Sequence, residues 1–331
     1  MGLSASEDLG VVVIGRNEGA RLVECLKSVV GRARGVVYVD SGSIDGSVDN
    51  ALALGAIVAS LSTEREFTAA RARNHGLSVL LSKFPDLSVV QFVDGDCEVN
   101  DKWFAAGLAC LAADAGIGAV AGQRRERFPH ASVYNMICDI EWRSEPGRAR
   151  YFGGDAMIRV EAIVEAGGYR ELLIAGEDPE LALRIRRLGW ELMTLAEPMT
   201  LHDANMISFP QWWLRAKRTG YAYAEGAFIH GDGPERHWVR ESRRSLFWTV
   251  LPSCGALAGY VALGAAGLFP LLAYPLSFSR LIVMRRKELG LVPAAAWALF
   301  VTVGKFPEAI GHVAFRVDRF RKRQAGIIEY K

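Results

Sequence analysis

The sequence predicts an α/β fold, a doubly wound and mostly parallel sheet followed by C-terminal transmembrane helices. Over the first two hundred residues, short β-rich runs alternate with amphipathic stretches. Carboxylates stand at the carboxyl ends of those runs, and an uncharged stretch begins after residue 245.

The expected strands are Val11–Ile14, Val36–Val39, Ala56–Ala59 and Val89–Val93, each rich in residues that suit a pleated surface. Between them, Leu22, Leu26 and Val29, and later Leu77, Leu80 and Leu81, recur at helical spacing and mark covering helices. Ligands of such sheets bind at the carboxyl ends of the strands, which is where Asn17-Glu18, Asp40 and Asp94-Gly95-Asp96 fall.

A net charge of +2 over 331 residues gives no basic field for nucleic acid. The five cysteines form no CxxC pair and are odd in number, which excludes a disulfide scaffold and a cysteine zinc site and points to reduced thiols.

From Leu246 to Ser279 no residue is charged, more than the ~20 residues that cross a bilayer. Pro252, Pro270 and Pro275 are expected to break this stretch into a span plus a shorter piece or into a hairpin, and 291–304 is short for a crossing of its own. The expectation is one to three passes. Basic clusters at Arg236–Arg244, Arg285–Lys287 and Arg316–Arg323 flank the apolar parts, and the positive-inside rule puts at least the first and last, and with them the N-terminal region, on the cytoplasmic side of the inner membrane. The division expected is a catalytic domain over 1–235 and a membrane-associated region over 236–331, with apolar segments 246–279 and 291–304 and a basic tail.

Several motifs offer chemistry. Asp94-Gly95-Asp96 is either a polar turn or a pair of hard oxygen ligands for a divalent cation. Asp40 to Ser47 can hold a nucleoside, with Ser43 or Asp45 capping the next helix. Arg71, Arg73 and Asn74 suit a diphosphate or a base edge, or else an exposed helix face. Gly153-Gly154-Asp155 reads as a close backbone approach with an acceptor for sugar hydroxyls, or as a simple turn. In Gly176-Glu177-Asp178-Pro179, Asp178 is a good N-cap ahead of Pro179 at the first helical position, and equally a general base. His202 offers a metal ligand. Trp212, Trp213 and Arg215 offer an acceptor platform or an interfacial anchor.

In this order the motifs resemble those of the family 2 glycosyltransferases over roughly Val11 to Arg215: Arg16-Asn17-Glu18, Asp40 to Ser47, Arg73-Asn74, Asp94-Gly95-Asp96, Gly153-Gly154-Asp155, Glu177-Asp178 and a Gln211-x-x-x-Arg215 remnant. The resemblance implies the Rossmann-like GT-A fold, Mg²⁺ or Mn²⁺ held by Asp94 and Asp96, and Asp178 as catalytic base. It also implies a nucleotide-diphosphate sugar, a UDP-sugar being expected, bound by Arg16, Asn17, Glu18, Asp40, Ser43, Arg73, Asn74, Asp94, Gly95, Gly154, Asp155 and Glu177. Where many members have Asp-Asp this chain has Asp40-Ser41. The Gln-x-x-Arg-Trp of processive synthases is also missing, since Ala216 follows Arg215. The function expected is inverting transfer of a single sugar to a lipid-linked saccharide at the membrane, in exopolysaccharide or envelope-glycan synthesis. The alternatives are a polyprenyl-phosphate sugar synthase and a non-catalytic nucleotide-sugar sensor or scaffold.

Overall fold

The protein, described by a computed structural model for residues 3–5, 7–62 and 64–321, forms two compact units. The first comprises 1–128, 141–173 and 177–204, and the second 129–140, 174–176 and 205–331, within the described residues. The boundary at 235/236 follows the change in composition. The structural division falls at Ala204/Asn205, because the helix that follows packs with the C-terminal helices.

The chain opens with β1 (Leu9–Gly15), α1 (Ala20–Val29), β2 (Gly35–Asp40), α2 (Ser47–Ala53), β3 (Ile57–Ser60), α3 (Ala69–Lys83) and β4 (Val89–Asp94). After β4 come β5 (Cys97–Val99), α4 (Trp103–Ala113), β6 (Ile117–Glu126), α5 (Val133–Trp142) and β7 (Gly147–Arg148). The first unit then closes with β8 (Met157–Arg159), α6 (Val160–Glu165), α7 (Glu177–Arg187) and β9 (Glu191–His202).

The sheet order is β3-β2-β1-β4-β8-β6-β9-β5, with β7 beside β9. β3, β2, β1 and β4 run parallel, as do β6 and β9, whereas β8 is antiparallel to both of its neighbours. The four expected strands are β1 to β4. β1 is apolar throughout because both of its faces are covered, with Leu9 and Val11 to Val13 inaccessible to solvent. Gln91, polar and in the middle of β4, is equally buried and satisfied: Trp103 Nε1 donates to its Oε1 at 2.7 Å and its Nε2 donates to the Phe92 carbonyl at 2.7 Å.

Parallel register puts the chemistry on one edge. Ile14 lies opposite Val39 and Asp94, and Gly15 opposite Asp40. Antiparallel β8 brings the segment just before it, including Asp155, beside the end of β4, and β5 pairs Cys97 with His202 of β9. Thr68 caps α3 by accepting from Arg71 N at 3.1 Å. That helix sits close on the sheet because Gly76 has no side chain: a Cβ there would run into Val12 and come within 2.8 Å of Val39.

The second unit contains most of α5, then α8 (Phe209–His230), α9 (Val239–Leu263), a 3₁₀ segment (Gly264–Leu272), α10 (Ala273–Leu289), α11 (Leu291–Val303) and α12 (Lys305–Phe320). α8 and α12 pack backbone to backbone, since a Cβ on Gly220 or Gly311 would strike the carbonyl of Glu308 or Lys217, and Tyr221 meets Phe315 edge-on at 5.4 Å. The stretch Val239–Leu289 is long and apolar enough to cross a membrane. It is an antiparallel hairpin, because Gly259 touches Gly267, Gly255 lies against Pro270, and Ser253 Oγ is 3.2 Å from Tyr274 Oη. The prolines do not make the reversal. Pro252 stays inside α9 and Pro270 inside the 3₁₀ segment, and the chain turns at Gly264, whose φ of 61° favours glycine. In the basic tail, Lys322 and Arg323 lie outside the described residues.

Replacing Gly76 with Leu should lift α3 from β1 and β2, destabilising the fold by about 1–3 kcal/mol in urea or thermal unfolding. Because Arg73 lies one turn earlier on the same face, the variant should also lose activity in its folded fraction.

Candidate active site

The loops after β1 and β2 are fastened to each other. Asn17 takes a left-handed φ of 56°, its Oδ1 accepts from Ile44 N at 2.8 Å, and its own N–H donates to Ser43 Oγ at 2.9 Å. Asp40 is buried: its Oδ2 accepts from the N–H groups of Gly42 and Ser43 at 3.0 Å, and Tyr38 donates to its Oδ1 at 3.0 Å. Glu18 pairs with Arg21 at 2.7 Å and packs its stem on Gly95. Arg16 lies over the Phe67 ring, with its guanidinium carbon 5.7 Å from the centroid. These five residues share one rim, where the carboxylate of Asp40 and the amide of Asn17 hold the loops in shape.

Arg73 stands at the centre. It is 2% exposed, and it reaches Asp94 at 2.8 Å, Glu177 at 2.9 Å and Asp178 at 3.2 Å, with the Tyr169 ring 5.4 Å from its guanidinium carbon. Gly154 makes room for this contact, since a Cβ there would strike Arg73 and come within 2.9 Å of Asp94 Oδ2. Arg124 of β6 holds the other side: it reaches Asp155 at 2.6 Å and Asp94 at 3.2 Å, under the Trp142 ring. Burial alone would raise the Asp94 pKa, but Arg73 and Arg124 outweigh it and keep the carboxyl below its ordinary value.

Asp94, Asp96, Cys97 and His202 each offer a donor atom, and these atoms all lie within 4.8 Å of one another. His202 Nε2 is 3.3 Å from Asp96 Oδ1, and its Nδ1, 4.0 Å from Glu126, has no hydrogen-bond partner among the described residues. Burial, then Asp155, pushes the Cys97 thiol well above its ordinary pKa, so it stays protonated. Two carboxylates and an imidazole remain, a donor set that fits Mg²⁺ or Mn²⁺. Gly95 serves packing here: a Cβ would come within 3.1 Å of the Ile14 carbonyl.

Asp178 is the second residue of α7, and Pro179 follows it inside the first turn, so Asp178 does not cap the helix. Burial, against the pull of Arg73, raises its pKa to about 8. Its buried Oδ1 touches Arg73 yet accepts no hydrogen bond among the described residues.

Three expectations need correction. Asp155 is fully buried, with its oxygens engaged by Arg124, Thr200 at 2.7 Å and Asp94 N at 3.1 Å, so it supports the site from beneath and does not meet a sugar. Asn74 grips the backbone of Tyr169, donating to its carbonyl and accepting from its N–H at 2.8 Å each, and Arg71 binds loop carbonyls at Ser62, Arg65 and Glu66. Trp212 is not an open platform: it is 3% exposed in the second unit, with Phe300 at 4.8 Å and Trp213 at 6.4 Å. Gln211, from the same motif, closes a capping box with Ser208, and Arg215 lies in the same helix α8. Sequence reasoning missed Arg124, Glu126 and Trp142. Arg124 and Glu126 lie in one strand of mixed charge, Arg124-Arg125-Glu126, where no spacing marks them.

Residues 10–169 match the description of glycosyl transferase family 2. No curated protein sequence matches the chain. Among solved structures, the mannosyltransferase PcManGT from Pyrobaculum calidifontis, in complex with GDP-Man and Mn²⁺, is similar with a TM-score of 0.63 and 21% identity, over 94% of this chain and 87% of that one. GalNAc-T7 with UDP, GalNAc and Mn²⁺ reaches 0.45 at 18% identity, over 74% of this chain and 56% of that one. Glucosyl-3-phosphoglycerate synthase from Mycobacterium tuberculosis, with Mn²⁺, UDP and glucosyl-3-phosphoglycerate, reaches 0.44 at 18% identity, over 66% and 78%. Glu177, Asp178 and His202 lie beyond the matched stretch, so their roles rest on geometry. Over residues 10–169 the chain is thus similar to glycosyl transferase family 2, and its fold is of the GT-A kind.

Proposed function

We propose that the protein is an inverting glycosyltransferase that moves one sugar from a nucleotide-diphosphate sugar to a hydroxyl of a lipid-linked acceptor, with Asp178 as general base. The observation that carries this reading is Asp178 Oδ1, a buried carboxylate oxygen with no hydrogen bond among the described residues, beside the cluster of Arg73, Asp94 and Asp96. The acceptor hydroxyl gives its proton to Asp178, and its oxygen attacks the anomeric carbon from the face opposite the diphosphate. The bond from that carbon to the phosphate oxygen breaks, and the nucleoside diphosphate leaves with the electron pair. Arg73 and Arg124 hold Asp94 in place throughout. A divalent cation bound by Asp94, Asp96 and His202 would neutralise the charge that grows on the leaving diphosphate. The rim of Arg16, Asn17, Glu18, Asp40 and Ser43 is the proposed nucleoside side. The mannosyltransferase similar to this chain was solved with GDP-Man and Mn²⁺, so GDP-sugars join UDP-sugars as donors to test.

The second unit supports attachment to the inner membrane from the cytoplasm. Leu246 to Leu263 gives about 27 Å of helix at ~1.5 Å per residue, close to the ~30 Å of a bilayer core. Arg243 and Arg244 precede that arm and Arg280, Arg285 and Arg286 follow the returning one, so both ends of the hairpin carry the charge preferred on the cytoplasmic face.

Asp178→Asn should lower kcat by about 10²–10⁴-fold while leaving donor affinity unchanged in a titration with Mn²⁺. A variant with near-normal turnover would remove the base and favour a phosphate acceptor, which is already ionised. A base must lose its proton, so kcat/KM of the wild-type enzyme should climb with pH towards about 8 and level off above, higher than an ordinary carboxylate would place the limb. In a thermal-shift screen, the correct nucleotide sugar at ~100 times its Kd should stabilise the protein by about 2.7 kcal/mol in the presence of Mn²⁺. Asp96→Ala should abolish the Mn²⁺-dependent part.

A further inference from the structure

At the charged end of the hairpin the second unit has a shallow cavity open to solvent, and its lining is divided in character. Arg244 and Lys305 supply cationic groups, Tyr274 and Ser277 supply hydroxyls, and Trp248 and Leu281 supply apolar surface. Arg244 is exposed and has no carboxylate partner among the described residues, whereas Lys305 pairs with Glu308 at 2.6 Å. Tyr274 Oη donates to the Trp248 carbonyl at 3.0 Å, which ties the two arms together where the cavity opens.

The depth of this cavity follows from the chain. Arg244 stands just before the uncharged arm that starts at Leu246, and Leu281 just after Arg280, which ends the returning arm. With the arms in hydrocarbon, the cavity sits at the level of the headgroups. Its composition suits one kind of molecule: an anionic phosphate for the guanidinium, continued by an apolar chain along exposed Phe247, Leu251 and Leu276. A free phosphate would use the cations and leave the apolar wall without a partner. A neutral lipid would leave Arg244 without one.

We propose that this cavity binds the phosphate of a chain-bearing lipid, with Arg244 as the principal ligand and Lys305 as the second. It rests on the membrane attachment proposed above, and it adds a lipid-phosphate site in the second unit. The lipid is either the acceptor's own isoprenoid phosphate carrier or an anionic phospholipid, which share this chemistry.

The test uses the full chain in phosphatidylcholine nanodiscs, titrated separately with polyprenyl phosphate, phosphatidylglycerol and inorganic phosphate. Wild-type protein should bind a chain-bearing phosphate saturably and inorganic phosphate not at all. Arg244→Gln should weaken that binding about tenfold and Arg244→Lys should restore part of it, as loss of one charge-assisted contact requires. Arg244 is exposed, so an unchanged melting curve should show that the variant folds. Preference for polyprenyl phosphate assigns the site to the acceptor carrier, and preference for phosphatidylglycerol assigns it to a membrane lipid. Equal lipid affinity in wild type and Arg244→Gln, or binding of inorganic phosphate as tight as that of the lipids, overturns the proposal. Sugar transfer in the same nanodiscs separates the two ideas. Transfer with an Arg244-independent lipid affinity leaves the enzyme reading and removes the site, while Arg244-dependent lipid binding without transfer to any lipid-linked acceptor does the reverse.

Discussion

Four carboxylates, those of Asp94, Asp155, Glu177 and Asp178, meet the two guanidinium groups of Arg73 and Arg124, Asp96 adds a fifth beside Asp94, and the rest of the site follows from that imbalance. Removing one carboxylate from water costs several kcal/mol unless it is paired, and clustering like charges adds to the cost. Arg124 answers it for Asp155, which no solvent reaches, and both arginines answer it for Asp94. For Asp178 burial outweighs what remains of Arg73, the fields of Glu177 and Asp94 add to it, and its proton is therefore held more tightly than an ordinary carboxyl holds one. The remaining negative charge lies on the Asp94 and Asp96 side, which attracts a cation and would repel a bare diphosphate.

The sharing of Arg73 also explains why the backbone around it is so constrained. Its guanidinium must reach β4 and α7 at once, so α3 has to lie flat on the sheet, and Gly76 and Gly154 clear the space beneath and beside it. Asn74, one residue further, anchors Tyr169, whose ring lies against Arg73. The polar residues of this helix therefore serve two ends: Arg73 arranges charge, and Asn74 and Arg71 fix the loops that surround it.

What was legible in the sequence were local patterns. Strands β1, β2 and β4 are runs of apolar residues covered on both faces, and the carboxylates closing β2 and β4 mark the edge without any knowledge of pairing. Strands β5, β7 and β8 have three residues or fewer and no period to detect, so the antiparallel insertion that carries Asp155 beneath Asp94 left no trace. Asp155 looked like a sugar ligand because a glycine pair precedes it. Its burial depends on Arg124 and Thr200, which are distant in sequence. His202 was readable only as a lone histidine until the register of β5 and β9 set it opposite Cys97.

The hairpin was visible as composition, while its turn was not. Proline is the usual suspect for a helix break, but Pro252 costs α9 a backbone hydrogen bond without ending it. A reversal between two apolar arms needs a residue that tolerates a left-handed conformation and allows the backbones to touch, and glycines 259, 264 and 267 meet those needs. The returning arm combines about 18 Å of 3₁₀ helix at ~2.0 Å per residue with the start of α10, which brings it to roughly the length of the outgoing arm. Two arms of matched length return the chain to the level at which it started, so the arginines before Leu246 and those from Arg280 onward stand at the same end of the hairpin. Under the membrane attachment proposed above, a single crossing would instead carry Arg280, Arg285 and Arg286 to the face opposite Arg243 and Arg244, against the preference of such charges for one side.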